Sequence, residues 1–257
     1  ITGTNDVPVV ISAPQTGSVT EAGNNDDGST VAGTPSVSGT LTATDVDTLA
    51  TQSWSIAGSP STTYGSIGIN AASGVWTYNL NNALAATQAL KEGQSVTQTY
   101  TAQVTDDFGA SATQTITITI TGTNDAPVIT TTTGQNLGSV TEAGNNDDGS
   151  VVAGKHCVSG TLSSTDVDAD ATSSWSIAGS PSTTYGSIAI NADTGVWTYR
   201  LDNTLAATQG LREGQSVTQT YTAQVTDDFG ASATQTITVT ITGTNDSPDI
   251  GVQAGDK

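Results

Sequence analysis

Cysteine, histidine and basic residues are nearly missing from this chain of 257 residues: one Cys, one His and five Lys plus Arg. With Cys157 alone, no disulfide can hold the fold. That does not point to the cytosol, because a bound metal can stabilise an exported domain instead. One His and one Cys cannot assemble a zinc site or a nucleophilic triad. His156 and Cys157 also stand in "GKHCVSG", where an earlier, otherwise similar stretch reads "GTPSVSG". The pattern therefore does not need them. Five basic residues against 24 acidic ones give a net charge of −19, so no basic patch exists to neutralise phosphates. Nucleic acid is therefore not expected as a partner, and anionic membrane surfaces are disfavoured on the same ground. No apolar run approaches the length that spans a bilayer, so direct membrane insertion is not expected. No signal peptide is visible. Only 11% of residues are charged, so the chain is acidic without being a polyelectrolyte, and its acidity favours cations.

What is present repeats. "ITGTND" occurs at Ile1, at Ile120 and at Ile241, and "EAGNNDDGS" occurs at Glu21 and Glu142. Trp54 and Trp175 share the offset of 121, as do Trp76 and Trp197. Two extra residues in the second copy lie between "TGTND" and "SVTEAG". A period of about 120 residues is too long for a solenoid unit and suits a domain that folds alone. The division is 1–6 as the tail of a preceding repeat, 7–125 as repeat 1, 126–246 as repeat 2, and 247–257 as the truncated start of another.

Within each repeat, alternation has a period of two. "VTQTYTAQVTDD" places Val96, Tyr100, Ala102 and Val104 on one face and Thr97, Thr99, Thr101 and Gln103 on the other. "ATQTITITITG" turns Ile116, Ile118 and Ile120 inward. "VSGTLTATD" aligns Val37, Leu41 and Ala43. Such patterns are half-buried antiparallel strands. "SWSIAG", "GSIGIN" and "VWTYNL" supply three more, with "NAASG" as a hairpin loop. Asn81–Leu90 lacks the pattern and suits a helical turn between strands. About seven short strands per repeat predict an all-β chain of two tandem two-sheet Greek-key sandwiches, end to end. The recurring aromatics Trp54, Trp76, Tyr64, Tyr78 and Tyr100 read as core and edge packing, with sugar stacking on an exposed Trp as the alternative.

Seven strands alternate in direction, so each loop is assigned to an end. Glu21, Glu92, Asn124 and Asp125 fall at the base of repeat 1; Asp166, Asp168 and Asp227 fall at the top of repeat 2. Stacking brings these groups to one junction, where unbalanced carboxylates repel. Ca²⁺ takes six to eight oxygen ligands and fits such a set. The equivalent positions are Asp6, Asp45, Asp47 and Asp106 at the first top, and Glu142, Glu213 and Asp246 at the last base. The alternative is turn chemistry, since Asp and Asn favour turns. It is stronger for Asp26 and Asp27 in "NNDDG", which could still lend a ligand.

"GTLTATDVD", "LKEGQSVTQTYTAQVTDDFG" and "ITITGTNDAP" resemble the VCBS repeats of bacterial adhesins of the repeats-in-toxin type, and more distantly cadherin repeats. The resemblance covers nearly all of both repeats and implies Ig-like or cadherin-like sandwiches. It also implies calcium between successive domains. Glu21 matches the acid of the family's first strand, Glu92 in "LKE" the final acid of the "DRE" segment, and Asn124 and Asp125 the linker core. Asp166 and Asp168 match the "DAD" pair, and Asp227 the later Asp. Gly122 replaces the linker's first Asp and Ala126 its last Asn, which lowers the expected ion count to between one and three. Lys91 departs at a position of little weight.

The function implied is a calcium-rigidified spacer of a large surface adhesin. It would be extracellular, a monomeric rod whose partners are neighbouring repeats, and would serve cell adhesion and biofilm formation. A glycan- or protein-binding module is the alternative. An enzyme is not expected: "DFG" at Asp107–Gly109 lacks the other kinase motifs and reads as a strand-end turn. The duplicated acids suit a repeated joint better than a catalytic cleft.

Overall fold

In this computed structural model, residues 2–247 are described; most of the expected truncated start, 248–257, lies outside them. Repeat 1 runs through β1 (Val9–Val10), β2 (Gln15–Thr20), β3 (Gly23–Asn24), β4 (Thr30–Val31), β5 (Ser36–Thr40), β6 (Ala43–Thr44), β7 (Gln52–Ile56), β8 (Gly65–Ile69), β9 (Val75–Leu80), the helical turn α1 (Ala85–Gln88), β10 (Ser95–Asp106) and β11 (Ser111–Thr121). One sheet has the order β2-β11-β10-β7 and the facing one β5-β9-β8. These are the seven expected main strands. Two short ladders, β1 with β6 and β3 with β4, finish the ends. Repeat 2 has the same order, from Leu137–Thr141 to Ser232–Thr242. The chain is all-β, as its alternation predicts.

The pairing of first and last strands departs from the antiparallel rule. β2 runs parallel to β11, with Thr16 opposite Thr117 and Thr20 opposite Thr121. Both strands head for the base, so the chain leaves the sandwich beside the segment that carries Glu21.

Each repeat has its own core. In the first, Ile116, Ile118 and Ile120 pack with Trp76, Tyr78, Leu41 and Val104, all sealed from solvent. The second repeats this with Ile237, Val239 and Ile241 around Trp197 and Tyr199. All four tryptophans are buried, so none offers a sugar platform. The threonines between the isoleucines face outward in cross-strand rows, Thr97 opposite Thr119 and Thr99 opposite Thr117.

One buried polar group escapes the alternation argument. Gln98 lies on the inner face, where its Oε1 accepts from the hydroxyls of Tyr78 at 3.1 Å and Tyr100 at 2.6 Å. Its amide donates to Ser61 Oγ at 2.7 Å and pins the 57–64 loop. Burial pushes the Tyr78 hydroxyl above its ordinary range, so it stays a donor. Gln219, Tyr199, Tyr221 and Ser182 rebuild the same network in repeat 2.

The two-residue insertion has a local effect on the core. In repeat 2 it brings Gln135, whose carbonyl accepts from Trp197 Nε1 at 2.7 Å. Repeat 1 has no counterpart, and Trp76 Nε1 is buried without an acceptor. An unmade buried bond of this kind costs about 1–3 kcal/mol. Trp197→Phe should therefore destabilise its repeat by about 1–2 kcal/mol more than Trp76→Phe does. Native-state hydrogen exchange, read on the long strands of each repeat separately, measures that difference.

Candidate metal centre

The repeated "TGTND" closes each sandwich. After β11, Thr123 donates its N–H to Glu21 Oε2 at 3.4 Å and its hydroxyl to the Glu21 carbonyl at 3.4 Å. Asn24 N–H then donates to the Asn124 carbonyl at 2.6 Å, and Ala126 N–H to Asn24 Oδ1 at 3.2 Å. The exit is thus fastened residue by residue to the "EAGNN" segment. Repeat 2 copies this at its own base, Thr244 donating to Glu142 Oε2 at 3.2 Å and Asn145 to the Asn245 carbonyl at 2.6 Å.

Gly122 shows why the linker lacks an acid there. A Cβ at this position would run into the carbonyl of Leu90, and would lie 2.6 Å from that of Lys91. No side chain, and so no Asp, fits without moving that backbone. Gly243 meets Leu211 and Arg212 in the same way. The departure from the family pattern is a packing requirement.

The compact unit built on repeat 1 comprises Ile1–Ala126, Asp166–Ala171 and Phe229–Ala231. Within it, Glu21, Asn124, Asp125, Asp166 and Asp168 come together. Asp125 N–H donates to Asp168 Oδ2 at 2.9 Å, and Asp168 N–H to Asp166 Oδ1 at 3.0 Å. Glu21, Asn124 and Asp168 are buried. Burial raises the Glu21 carboxyl to about 7, with Asp125 and Asp168 adding repulsion. Asp125 is raised to about 6, first by burial and then by the charges of Asp168 and Asp166. Burial comes first in both shifts and repulsion between neighbouring carboxylates adds to it.

The other expected ligands divide. At the top of repeat 1 the same motif recurs: Asp6 N–H donates to Asp47 Oδ2 at 2.8 Å, and Asp47 N–H to Asp45 Oδ1 at 2.9 Å. Asn5 donates to Asp106 at 3.0 Å, and this bond, with those from Phe108 and Ala110 N–H, holds the Asp106 carboxyl below its usual range. "DFG" is therefore a turn folded around the preceding Asp106. At the base of repeat 2, Glu142 is buried and its carboxyl raised, by burial and then by Asp246. Asp227 ends its strand, buried, in the second unit. Glu92 and Glu213 stand exposed in their turns. Asp27 is exposed and accepts from Ser29 N–H at 2.9 Å, as turn chemistry requires.

Sequence reasoning missed four participants. Gln88 donates to Glu21 Oε1 at 2.9 Å, and Asn82 pairs with both backbone groups of Ala22. Lys91 forms an ion pair of 3.2 Å with the exposed Asp170. For two of them the sequence signal is duplication, which singles out Gln88 with Gln209 and Asn82 with Asn203 at the same offset as the acids; Lys91 and Asp170 have none.

The donor set is all oxygen, from carboxylates and an amide, as a hard cation such as Ca²⁺ requires. Asp125 Oδ2 is buried and accepts no hydrogen bond, so a lone pair is left for an ion. Among the described residues no three acidic, His or Cys side chains already form a closed metal-holding group. The oxygens are near enough to repel and are not gathered on one point. Glu21, Asn124, Asp125, Asp166 and Asp168 are the residues that would hold a calcium ion, which would supply the countercharge.

The metal-free chain has a definite pH dependence. Glu21 is raised from 4.5 to about 7 and Asp125 from 3.8 to about 6, so the fold favours their protonated forms. The associated stability is complete below the unfolded values and is lost as pH rises through the folded ones. In chelator, the melting temperature should fall between about pH 5 and 7.5, for a loss on the order of 1–3 kcal/mol. Glu21→Gln should remove about half of that fall in the same thermal scans, leaving the part due to Asp125.

The bacterial cadherin-like domain model matches twice, over residues 5–122 and 124–243. No curated protein matches the sequence. Among solved structures, the PcdhgB3 EC1-4 structure is 16% identical with a TM-score of 0.52, over 92% of this chain and 50% of that one. Mouse Cadherin-23 EC22-24 is 14% identical with a TM-score of 0.41, over 92% and 64%. The chain thus spans half to about two thirds of those structures' lengths, and the first likeness concerns the fold alone. Since the two copies of the domain model cover most of the sequence, the chain belongs to the bacterial cadherin-like domain family.

Proposed function

We propose that these repeats are calcium-stiffened extender modules of a large bacterial surface adhesin, holding a distal binding domain away from the cell. Cadherin-like domains are extracellular, adhesion-related repeats. Among the described residues no helix is long and apolar enough to cross a membrane. The observation that carries the reading is the group of buried Glu21 and Asp168 with half-buried Asp125 and Asp166, drawn from the sequences of both repeats into one compact unit. A divalent cation would turn its repulsion into a cross-link between consecutive repeats. Without the ion, the short segment after Asp125 becomes a hinge. Duplication supports a spacer, because a spacer gains from each added copy, whereas a distinct catalytic site does not. Protein or glycan capture, as the other reading, finds no exposed tryptophan to support it.

Calcium titration tests this in solution. Small-angle scattering should give a longer, narrower distance distribution in calcium than in chelator. With affinity in the range of extracellular modules, about 10⁻⁴–10⁻³ M, the ion should stabilise the fold by about 1–3 kcal/mol at 10 mM. Asp166→Ala combined with Asp168→Ala should abolish both responses. If the double variant still lengthens and stabilises with calcium, the assigned ligands are not the ones that bind it.

A further inference from the structure

We infer that the segment running from Asn82 through the helical turn α1 is a positioning device: Gln88 and Asn82 hold the Glu21 segment so that its carboxylate is presented to the cation. The inference rests on the calcium reading and names which residues set that site's affinity. Glu21 has no solvent exposure, and its two oxygens are held from different elements. Gln88 Nε2 donates to Oε1 at 2.9 Å, while Thr123 N–H reaches Oε2 at 3.4 Å. One residue on, Asn82 grips the backbone of Ala22, accepting its N–H at 3.0 Å and donating to its carbonyl at 3.2 Å. The helical turn is itself moored, since the buried Thr87 donates its hydroxyl to the Tyr64 carbonyl at 3.4 Å.

Repeat 2 reproduces every contact at its own base. Gln209 donates to Glu142 Oε1 at 3.0 Å, Asn203 holds both backbone groups of Ala143 at 2.9 and 3.3 Å, and Thr208 donates to Tyr185 at 3.5 Å. Repeat 2 differs from repeat 1 elsewhere in this segment, with Thr204 for Ala83 and Asp202 for Asn81, yet both amides are kept. A buried carboxylate free to rotate could turn away from its like-charged neighbours; an amide donor on Oε1 opposes this, and each carboxylate oxygen keeps a second lone pair for a metal. Partners of this kind, one layer behind the ligands, commonly change metal affinity by 10–100-fold when removed.

The test uses the full chain with Ca²⁺ as the probe. Gln88→Met, similar in volume but lacking the donor, should weaken calcium binding by about tenfold in calorimetric titration. In a Glu21→Gln background the same change should have little further effect, because the two residues act as one unit. A readout without metal accompanies it: in chelator, Gln88→Met should speed hydrogen exchange at the Thr123 amide as Glu21 loses its orientation. Should Gln88→Met fold poorly, Gln88→Ala removes the amide while favouring the helical turn. Calcium affinity unchanged by the loss of the amide, or equally weakened with and without Glu21, overturns the positioning role alone. A wild-type chain that ignores calcium overturns the calcium reading itself.

Discussion

Everything particular to this chain depends on like charges confined out of water. Glu21, Asp125, Asp166 and Asp168 repel one another where solvent screens them poorly. A fold can tolerate that in two ways, by protonating the carboxyls or by admitting a cation, and without a cation burial and neighbouring charge favour the first at Glu21 and Asp125. The second requires oxygen donors with free lone pairs, and Asp125 Oδ2 is one. A cation bound there would compete with protons for the same oxygens, and would be held most tightly where the protons have left.

Confinement is the work of the backbone more than of the side chains. "TGTND" is fastened to "EAGNN" through Thr123 and Asn24, and Gly122 lets that strand end lie against the Leu90 and Lys91 carbonyls. The hexapeptide recurs because each sandwich needs the same seal at its exit. Each seal also carries an Asn and an Asp onward, as Asn5 and Asp6 meet Asp106 and Asp47 at the top of repeat 1.

Much of this was legible in the sequence because the signals are periodic. Alternating Ile and Thr in 112–121 fixed one strand's buried face, and the Trp and acid offsets fixed the repeat. The up-and-down ordering of strands also brought Glu21 to the exit, where it is found. Contacts without a period were not legible. Gln98 lies on an apolar face because two tyrosine hydroxyls and a serine satisfy it, and pattern reasoning weighs no such network. Gln88 was hidden for a similar reason: its partner lies 67 residues away in sequence. Glu92 was placed at the base by strand direction and by its match to "LKE", and its side chain is exposed in that turn.

The parallel ladder between β2 and β11 bears on how a repeat would carry tension. The first and last long strands lie side by side and run the same way, with six residue pairs in register from Gln15–Ile116 to Thr20–Thr121. Pulling the two ends of a sandwich apart would slide one strand along the other, loading those hydrogen bonds together in shear instead of peeling them one by one.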